Sequence, residues 1–301
     1  MAAKTFTILG ATGQIGHVLT EELLKSGHRV KAIGRNGVKL EALKNKGAQI
    51  ISIDISDVNG LTKAFFGSDA AFVMIPPNFQ ADDFLGYQDR TGEAIRDAIQ
   101  RSSVKKVLNL SSTGAQHADK TGPIQGLHRQ EQRLNALSDV DVLHFRAAYF
   151  MQNIYGSIPE IQKEGTLSSP VKGDLPMWMV STDDIGRKIA DILSSLHFKG
   201  RSVFEFAGPA QLTQIAVARI LGDAIGRDVK YVQIGYDVAE KAMLDAGLKL
   251  SLAKAFVEMQ RASNDGLTAF VEAPGPDHRG NITFEEFART LAKQLKAKAA
   301  A

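Results

Sequence analysis

The stretch "ILGATGQIG" (residues 8–16) decides the fold of this chain. It follows an apolar run directly and opens a helical pattern, "QIGHVLTEELLKSG" (14–27). Glycines at this spacing between a strand and a helix are typical of loops that bind the phosphates of a dinucleotide. Gly10 lets the chain turn off the strand, Gly13 leaves room for a pyrophosphate, and Gly16 allows the helix to pack closely on the sheet. The N–H groups at the start of the helix then face an anion.

Short apolar and β-branched runs alternate with helical patterns through the first 150 residues. Six runs are strand candidates: "TFTIL" (5–9), "RVKAI" (29–33), "QIISI" (49–53), "AAFVMI" (70–75), "KKVLNL" (105–110) and "VDVLHF" (140–145). This alternation predicts crossover connections and a parallel sheet that helices cover on both faces. We therefore predict an α/β fold with a Rossmann-type doubly wound parallel sheet.

Helical patterns dominate the second half of the chain. Four are visible: "STDDIGRKIADILSSL" (181–196), "LTQIAVARILGDAIG" (212–226), "VAEKAMLDAGLKLSLAKAFVEMQRA" (238–262) and "ITFEEFARTLAKQL" (282–295). Two short strand candidates interrupt them, "SVFEFAG" (202–208) and "VKYVQI" (229–234). We predict a dinucleotide-binding domain over 1–150 and a smaller, mostly helical substrate- or partner-binding part over 151–301. Elements at about 180–208 are expected to return to the core.

Composition limits the function classes. The 36 basic and 33 acidic side chains leave a formal charge of only +3, so we expect neither nucleic acid nor a membrane surface as a partner. The chain has no cysteine, which removes disulfides and thiolate catalysis. No apolar run reaches the length of a bilayer span, and the N-terminal run does not resemble a signal peptide. We expect a cytoplasmic location.

No metal is predicted. The seven histidines are scattered along the chain without the spacing of metal ligands. The segment "DHRGNITFEEF" (277–287) has some likeness to a calcium loop. With Gly280 at the sixth loop position, however, Gly275 falls first and Arg279 fifth, where oxygen ligands belong.

The end of the second strand candidate indicates which dinucleotide binds. An acidic residue there would accept hydrogen bonds from the ribose of NAD(H), but no Asp or Glu occurs over 29–40. Arg35 stands where a 2′-phosphate would lie, and its planar guanidinium suits a phosphate. NADP(H) is therefore the favoured cofactor, and NAD(H) is the alternative. Asp54 and Ile55 are candidates for contacts with the adenine; alternatively, neighbouring N–H groups satisfy the Asp54 carboxylate. The other predicted cofactor contacts are Thr12, Gln14, Ile15, Ile75, Pro76 and Ser111.

Several motifs together resemble one family, the NmrA-like branch of the atypical short-chain dehydrogenase/reductases. They are "GATGQIG" (10–16), "IGR" (33–35), "NLSS" (109–112), "FRAAYFMQNI" (145–154), "VSTDDIGRKIADIL" (180–193) and "ITFEEFARTLAKQL" (282–295). The resemblance implies a Rossmann core with NAD(P) bound across the strand ends and a helical part that forms a substrate cleft. Members range from quinone and azo-dye reductases to regulators that bind the cofactor without known turnover.

The proton relay of mainstream relatives is missing. They use a serine together with a tyrosine and a lysine four residues later, and none of the five tyrosines here is followed by lysine at that distance. Ser111 stands where the serine would lie. We predict His128, Ser111 and Tyr149 as catalytic residues, since a histidine can donate a proton near neutral pH. For His128, a solvated position on a polar helix face is the alternative.

An aromatic cluster follows the sixth strand candidate, where the cleft should open. We predict Phe79, Phe150, Asn153 and Trp178 as residues of the substrate cleft, where aromatic rings would stack a flat substrate. For Phe150, a place in the core is the alternative.

Two functional hypotheses follow. The first is an oxidoreductase that transfers hydride from NADPH to a flat, electron-poor small molecule such as a quinone, an azo compound or an enone. The second is a non-catalytic NADP(H) sensor that binds a regulatory protein partner. A homodimer is left open.

Overall fold

A seven-stranded parallel sheet forms the centre of the computed structural model, which describes residues 2–299. Its strands are β1 (Thr5–Leu9), β2 (Arg29–Gly34), β3 (Gln49–Ser52), β4 (Ala70–Val73), β5 (Lys106–Ser112), β6 (Asp141–Ala147) and β10 (Arg201–Phe206). They lie in the order β10-β6-β5-β4-β1-β2-β3, and all neighbouring pairs are parallel. The six strands predicted in the first half are confirmed, in a doubly wound order.

Eleven helices accompany the sheet in the described residues. They are α1 (Gln14–Lys25), α2 (Gly37–Lys44), α3 (Val58–Phe65), α4 (Phe84–Arg101), α5 (Ile124–Asn135), α6 (Ile158–Glu164), α7 (Thr182–Ser195), α8 (Gln214–Ile225), α9 (Tyr236–Asp245), α10 (Leu250–Asn264) and α11 (Phe284–Ala299). Helices α1, α2 and α7 bury apolar side chains on one face of the sheet, and α3, α4 and α5 do so on the other. Both faces are covered, which explains the continuous apolar runs of the strands.

Two small sheets stand outside the central one. Their strands are β7 (Tyr149–Phe150), β8 (Thr166–Ser169), β9 (Met177–Val180), β11 (Gln211–Leu212) and β12 (Lys230–Gln233). β9 pairs with β7 and β11, while β8 pairs with β12. A separate apolar cluster of α8, α11 and their neighbours supports this part. No helix within residues 2–299 combines the length and apolarity that crossing a bilayer requires.

The second half of the chain adds to the central sheet and differs from the sequence pattern. Helix α6 and the short strands β8, β9 and β11 were not predicted, and one predicted helix is divided. β10 pairs with β6 and extends the sheet at that edge. The long helical pattern over 238–262 is two helices, because Gly247 adopts a left-handed conformation (φ +87°) after α9. Ser181 caps α7 by accepting a hydrogen bond from the Asp183 N–H. The division at residue 150 stays a prediction, and residues 1, 300 and 301 lie outside the described part.

His144 is a buried histidine in the middle of the sheet. It is 1% exposed on β6, its Nε2 lies 2.9 Å from Asn135 Oδ1, and the Asn109 side-chain nitrogen lies 3.2 Å from its Nδ1. These partners fit a neutral ring that donates from Nε2 and accepts at Nδ1. Burial is the main cause that lowers the pKa of His144 to about 4.

We predict that His144 makes the fold sensitive to acid. The folded-state pKa lies below the ordinary value, so the stabilisation is complete above about pH 6.5 and is lost as pH falls from there towards 4. The free energy of unfolding should fall by about 3 kcal/mol over that range. Urea unfolding at several pH values measures this fall, which should be much smaller in His144→Gln. The exposed His197→Gln is the control, and parallel pH profiles for all three proteins would contradict the assignment.

Candidate cofactor and acceptor site

The glycine-rich loop builds an anion-binding helix start. Gly10 follows β1 with φ +73°, a conformation that disfavours other residues. Gly13 precedes the first residue of α1 and supplies no side-chain cap. A Cβ on Gly16 would lie 2.2 Å from the carbonyl oxygen of Gly10, so only glycine allows this close approach. The first N–H groups of α1 are therefore left for an external acceptor, which fits the pyrophosphate of a dinucleotide.

Side chains next to this loop define the neighbouring surface. Ile15 is buried in the core, whereas Gln14 is exposed beside the loop. Thr12 lies against the end of β2, where a Cβ on Gly34 would be 2.8 Å from its methyl carbon. Gly34 is thus a residue that the sequence analysis missed, although it is the glycine of "IGR". Its lack of a side chain lets the loop and the end of β2 meet.

Arg35 and Asp54 lie beyond the ends of β2 and β3. Arg35 is exposed. Asp54 Oδ1 accepts hydrogen bonds from the N–H and the hydroxyl of Ser56 at 2.9 and 2.6 Å. These bonds, with a smaller contribution from the charge of Arg35, lower the pKa of Asp54. One oxygen of Asp54 is therefore bound by Ser56 in the same turn, as the alternative interpretation expected. A contact between Asp54 and the adenine stays a prediction. Ile55 packs partly buried against the core.

The end of β4 adds an apolar wall. Ile75 is 8% exposed and belongs to the core. The carbonyl of Pro76 accepts a hydrogen bond from the Tyr87 hydroxyl at 3.0 Å, which holds this turn against α4. Because β1, β4 and β5 are neighbours in a parallel sheet, Gly10, Ile75 and Ser111 lie at one edge. The crevice outside the carboxyl ends of the strands is where such sheets bind ligands.

A buried ion pair occupies the end of β5 and β6. Arg146 binds Glu131 with two hydrogen bonds, from Nε at 2.9 Å and from Nη2 at 2.6 Å. Ser111, which is paired with Arg146 in the sheet, donates its hydroxyl to Glu131 Oε1 at 2.6 Å. All three residues are less than 9% exposed. Because the proton of Ser111 is already engaged, its oxygen is left as a hydrogen-bond acceptor.

His128 is tied to the backbone. Its Nδ1 lies 2.8 Å from the carbonyl oxygen of Ala115, so this nitrogen carries the proton and donates. The side chain is half-buried on α5 and does not line the cavity described next. The role of His128 as a proton donor stays a prediction.

A cavity of about 380 Å³ opens beside the ends of β5 and β6. Ser112, Thr113, Ala148 and Tyr149 form one side. The other side comes from β9 with the residues before it, from α10 and from the segment 266–273. Of the predicted catalytic and cleft residues, the structure brings Tyr149 and Trp178 together on this wall.

Trp178 is held between two partners. Its ring meets Phe270 edge-on, with the ring centroids 6.2 Å apart. The guanidinium of Arg279 lies 4.8 Å from the centroid of the indole ring, a cation–π contact. The sequence analysis missed Phe270, because no local pattern distinguishes it from other aromatic residues that follow a helix.

Phe79, Phe150 and Asn153 do not line this cavity. Phe79 is 51% exposed in the loop after β4, Asn153 is exposed, and Phe150 packs against the core cluster of the central sheet. The contacts of Phe150 therefore match the alternative that places this residue in the core. A cleft role for these three side chains stays a prediction.

The Tyr149 phenol is neutral at ordinary pH. The residue as a whole is 37% exposed, but the surroundings of its phenol are desolvated, which raises the pKa of Tyr149; the nearby Asn153 side chain offsets part of the rise. A neutral phenol donates a hydrogen bond and does not act as a base. Tyr149 lines the cavity, and its hydrogen bond to an acceptor there stays a prediction.

Glu205 connects the sheet to the wall of the cavity. It is paired with Arg146 in the sheet, and its carboxylate accepts a hydrogen bond from the Val271 N–H at 3.0 Å. Val271 directly follows Phe270, so this bond holds the segment that carries the ring. Burial is the main cause that raises the pKa of Glu205, and the hydrogen bond from Val271 lowers it in part.

The chain is similar to one family of known proteins over nearly its whole length. A family model described as the NmrA-like family matches residues 2–288. An NAD(P)H azoreductase from Xenophilus azovorans is 26% identical over 292 residues, which cover 96% of this chain and 99% of that protein.

Solved structures share the fold. An NADPH-dependent quinone oxidoreductase from Escherichia coli, solved in complex with NADPH, has a TM-score of 0.81 at 22% identity and covers 95% of this chain and 99% of its own. NmrA, a negative transcriptional regulator solved in complex with NADP, has a TM-score of 0.76 at 17% identity and covers 100% and 99%. At these identities the two structures show the common fold alone.

We predict that Glu131 is essential to stability. Glu131→Ala leaves the guanidinium of Arg146 buried without its partner, so the free energy of unfolding should fall by about 3–5 kcal/mol. Denaturant unfolding of the purified protein measures the loss. Glu93→Ala, at an exposed position of α4, is the matched control and should change stability by less than about 0.5 kcal/mol. Similar stabilities for the two variants would show that the buried pair contributes little.

Proposed function

The chain belongs to the NmrA-like family, and on that premise we propose that it is an oxidoreductase that uses NADPH to reduce a flat, electron-poor small molecule such as a quinone, an azo compound or an enone. One observation carries the proposal: an uncapped helix start suited to a pyrophosphate and an aromatic cavity open along the same edge of the sheet. The similarity to an NAD(P)H azoreductase and to a quinone oxidoreductase supports it.

NADPH is favoured over NADH by the charges near the end of β2. Arg35 is exposed there, and no carboxylate occurs over 29–40 to bind a free ribose hydroxyl. The neighbouring Asn36 caps α2, because its side-chain oxygen accepts a hydrogen bond from the Lys39 N–H at 3.0 Å. The guanidinium of Arg35 is therefore the main group for a 2′-phosphate.

The cofactor would supply a hydride, and the residues of the chain position the two reactants. The N–H groups at the start of α1 would bind the pyrophosphate, and the Ser111 oxygen would accept a hydrogen bond from an amide N–H such as a carboxamide carries. Trp178 and Phe270 line the cavity, where their aromatic surfaces would pack against a flat acceptor.

Tyr149 assists the acceptor with a hydrogen bond. A quinone becomes a hydroquinone by taking up one hydride and one proton. The hydride would come from the cofactor with both electrons and the first hydrogen, and the proton comes from solvent. The neutral phenol donates to the acceptor oxygen as negative charge develops on it. An activated acceptor needs no stronger acid, which accounts for chemistry without a Tyr-x-x-x-Lys pair.

A non-catalytic NADP(H) sensor is the second candidate. The missing tyrosine–lysine pair favours it, as does the fold shared with a transcriptional regulator solved in complex with NADP. NADPH consumption with a panel of quinones, azo compounds and enones separates the two candidates. Tight NADPH binding without turnover of any acceptor would favour the sensor.

We predict that Arg35 selects the cofactor. Arg35→Ala removes a charge-assisted pair with the 2′-phosphate and should weaken NADPH binding by about 1.5–3 kcal/mol, with little change for NADH. Calorimetric titration of both nucleotides measures the difference. Arg29→Ala is the control, since Arg29 lies at the opposite end of the same strand. Equal weakening of both nucleotides in Arg35→Ala would refute the assignment.

We predict that Tyr149 contributes to turnover. Tyr149→Phe removes one donated hydrogen bond and should lower kcat for a quinone about tenfold, with NADPH affinity unchanged. Tyr155→Phe is the control, because Tyr155 has similar exposure but stacks on Phe287 outside the cavity. His128→Ala tests the other predicted donor, and a lower kcat with unchanged NADPH affinity would support a role for His128. An unchanged kcat in Tyr149→Phe would remove Tyr149 from the mechanism.

A further inference from the structure

We propose that the cavity beside β5 and β6 selects uncharged acceptors of one or two rings and rejects those that carry a sulfonate, carboxylate or phosphate group. This inference rests on the proposed function and specifies its substrate class. It also applies to binding alone, so it can be tested even where no turnover occurs.

Among the residues that the structure describes, none with a charged side chain lines the cavity. Its lining consists of aliphatic and aromatic side chains, hydroxyls and one amide, Gln211. An anionic substituent moved from water into such surroundings loses its hydration and finds no cation to replace it. A neutral aromatic ring gains from the same surroundings, because its apolar surface leaves water.

The hydroxyls of the wall are largely engaged with each other and with the backbone. Ser112 donates to the carbonyl of Thr113 at 2.9 Å. Ser263 donates to the carbonyl of Met259 at 3.1 Å and lies 3.2 Å from the hydroxyl of Thr268, which donates to it. Few donors are left for the three oxygens of a sulfonate. The Tyr149 phenol suits a single carbonyl oxygen.

The charged groups around the cavity are engaged outside it. The guanidinium of Arg279 stacks on Trp178, and its Nε donates to the carbonyl of Pro274 at 2.9 Å. Glu205 accepts from the Val271 N–H behind the wall. Glu258 accepts from the side chain of Gln125 at 3.2 Å. None of these groups is directed to a ligand in the cavity.

The size of the cavity sets the second limit. About 380 Å³ is near the lower end of the range of small-molecule sites, which extends from about 300 to 1,000 Å³. A benzoquinone, a naphthoquinone or a short conjugated enone fits this volume. A long dye with several aryl groups would have to leave part of its surface outside.

Trp178 allows occupation of the cavity to be measured directly. It is the only tryptophan of the chain, and it lies on the cavity wall. A quinone that enters should quench its fluorescence with a saturable dependence on concentration. N-acetyltryptophanamide, treated in the same way, gives the correction for collisional quenching and light absorption.

The test compares 1,4-naphthoquinone with 1,4-naphthoquinone-2-sulfonate on the NADP⁺-bound full chain. The two differ by one sulfonate, which makes the ring more electron-poor, so intrinsic reactivity alone would favour the sulfonate. We expect half-saturation of Trp178 quenching at a concentration at least about tenfold lower for the neutral quinone. With NADPH, kcat/KM should be at least about 100-fold higher for the neutral quinone. Equal values, or values that favour the sulfonate, would overturn the proposal.

A variant with a new cation should reduce or remove the selectivity. Gln211→Arg places a guanidinium on the wall and should improve binding of the sulfonate at least about tenfold while changing that of the neutral quinone less than about threefold. Gln233→Arg, at an exposed position of β12 outside the cavity, is the matched control and should change neither. Gln211→Arg could also bind NADPH normally and leave the selectivity unchanged. In that case, the absence of a cation from the wall does not cause the preference for the neutral quinone.

The outcomes separate this inference from the proposed function. Equal reduction of both quinones overturns the selectivity while the oxidoreductase stands. Selective quenching by the neutral quinone without any NADPH consumption supports the selectivity while the oxidoreductase fails. Absence of saturable quenching by either quinone overturns the selectivity whatever the turnover.

Discussion

Backbone packs directly on backbone at the start of the first helix, and the candidate site depends on this contact. A Cβ on Gly16 would lie 2.2 Å from the carbonyl oxygen of Gly10, and Gly10 itself turns with a positive φ. Because no side chain separates the loop from the helix, α1 begins at the carboxyl end of β1. Its first N–H groups thereby face the crevice beside β4, where a dinucleotide crosses a doubly wound sheet.

A row of polar residues connects this edge of the sheet with the wall of the cavity. Ser111, Arg146 and Glu205 are neighbours across β5, β6 and β10, and Glu131 on α5 forms hydrogen bonds with Ser111 and Arg146. The fork between Arg146 and Glu131 neutralises the guanidinium inside the protein, so the charge is not available to a ligand. Glu205 fixes the segment after Phe270 through the Val271 N–H. The lining of the cavity is uncharged although Arg146 lies behind it, because the guanidinium is paired with Glu131.

The sequence predicts the central sheet and the phosphate loop well because their signals are local. Strands buried on both faces leave continuous apolar runs, and the steric demand at Gly10 and Gly16 restricts those positions to glycine. The prediction that Arg35 contacts a 2′-phosphate rests on its distance in sequence from the glycine-rich loop. The break between α9 and α10 at Gly247 was missed, since a single glycine within a helical pattern is a weak signal.

The cavity wall is less predictable because its parts are distant in sequence. The loop after β5 approaches the segment near Leu267 closely, and a Cβ on Gly114 would lie 3.2 Å from the carbonyl oxygen of Leu267. Such a contact has no periodic pattern that could reveal it.

The same wall bears on the choice between enzyme and sensor. A sensor needs only the crevice that binds the nucleotide, whereas an oxidoreductase also needs a site for its acceptor beside the cofactor. An aromatic cavity next to the ends of β5 and β6 therefore favours a second, small ligand beside the cofactor, as an oxidoreductase requires.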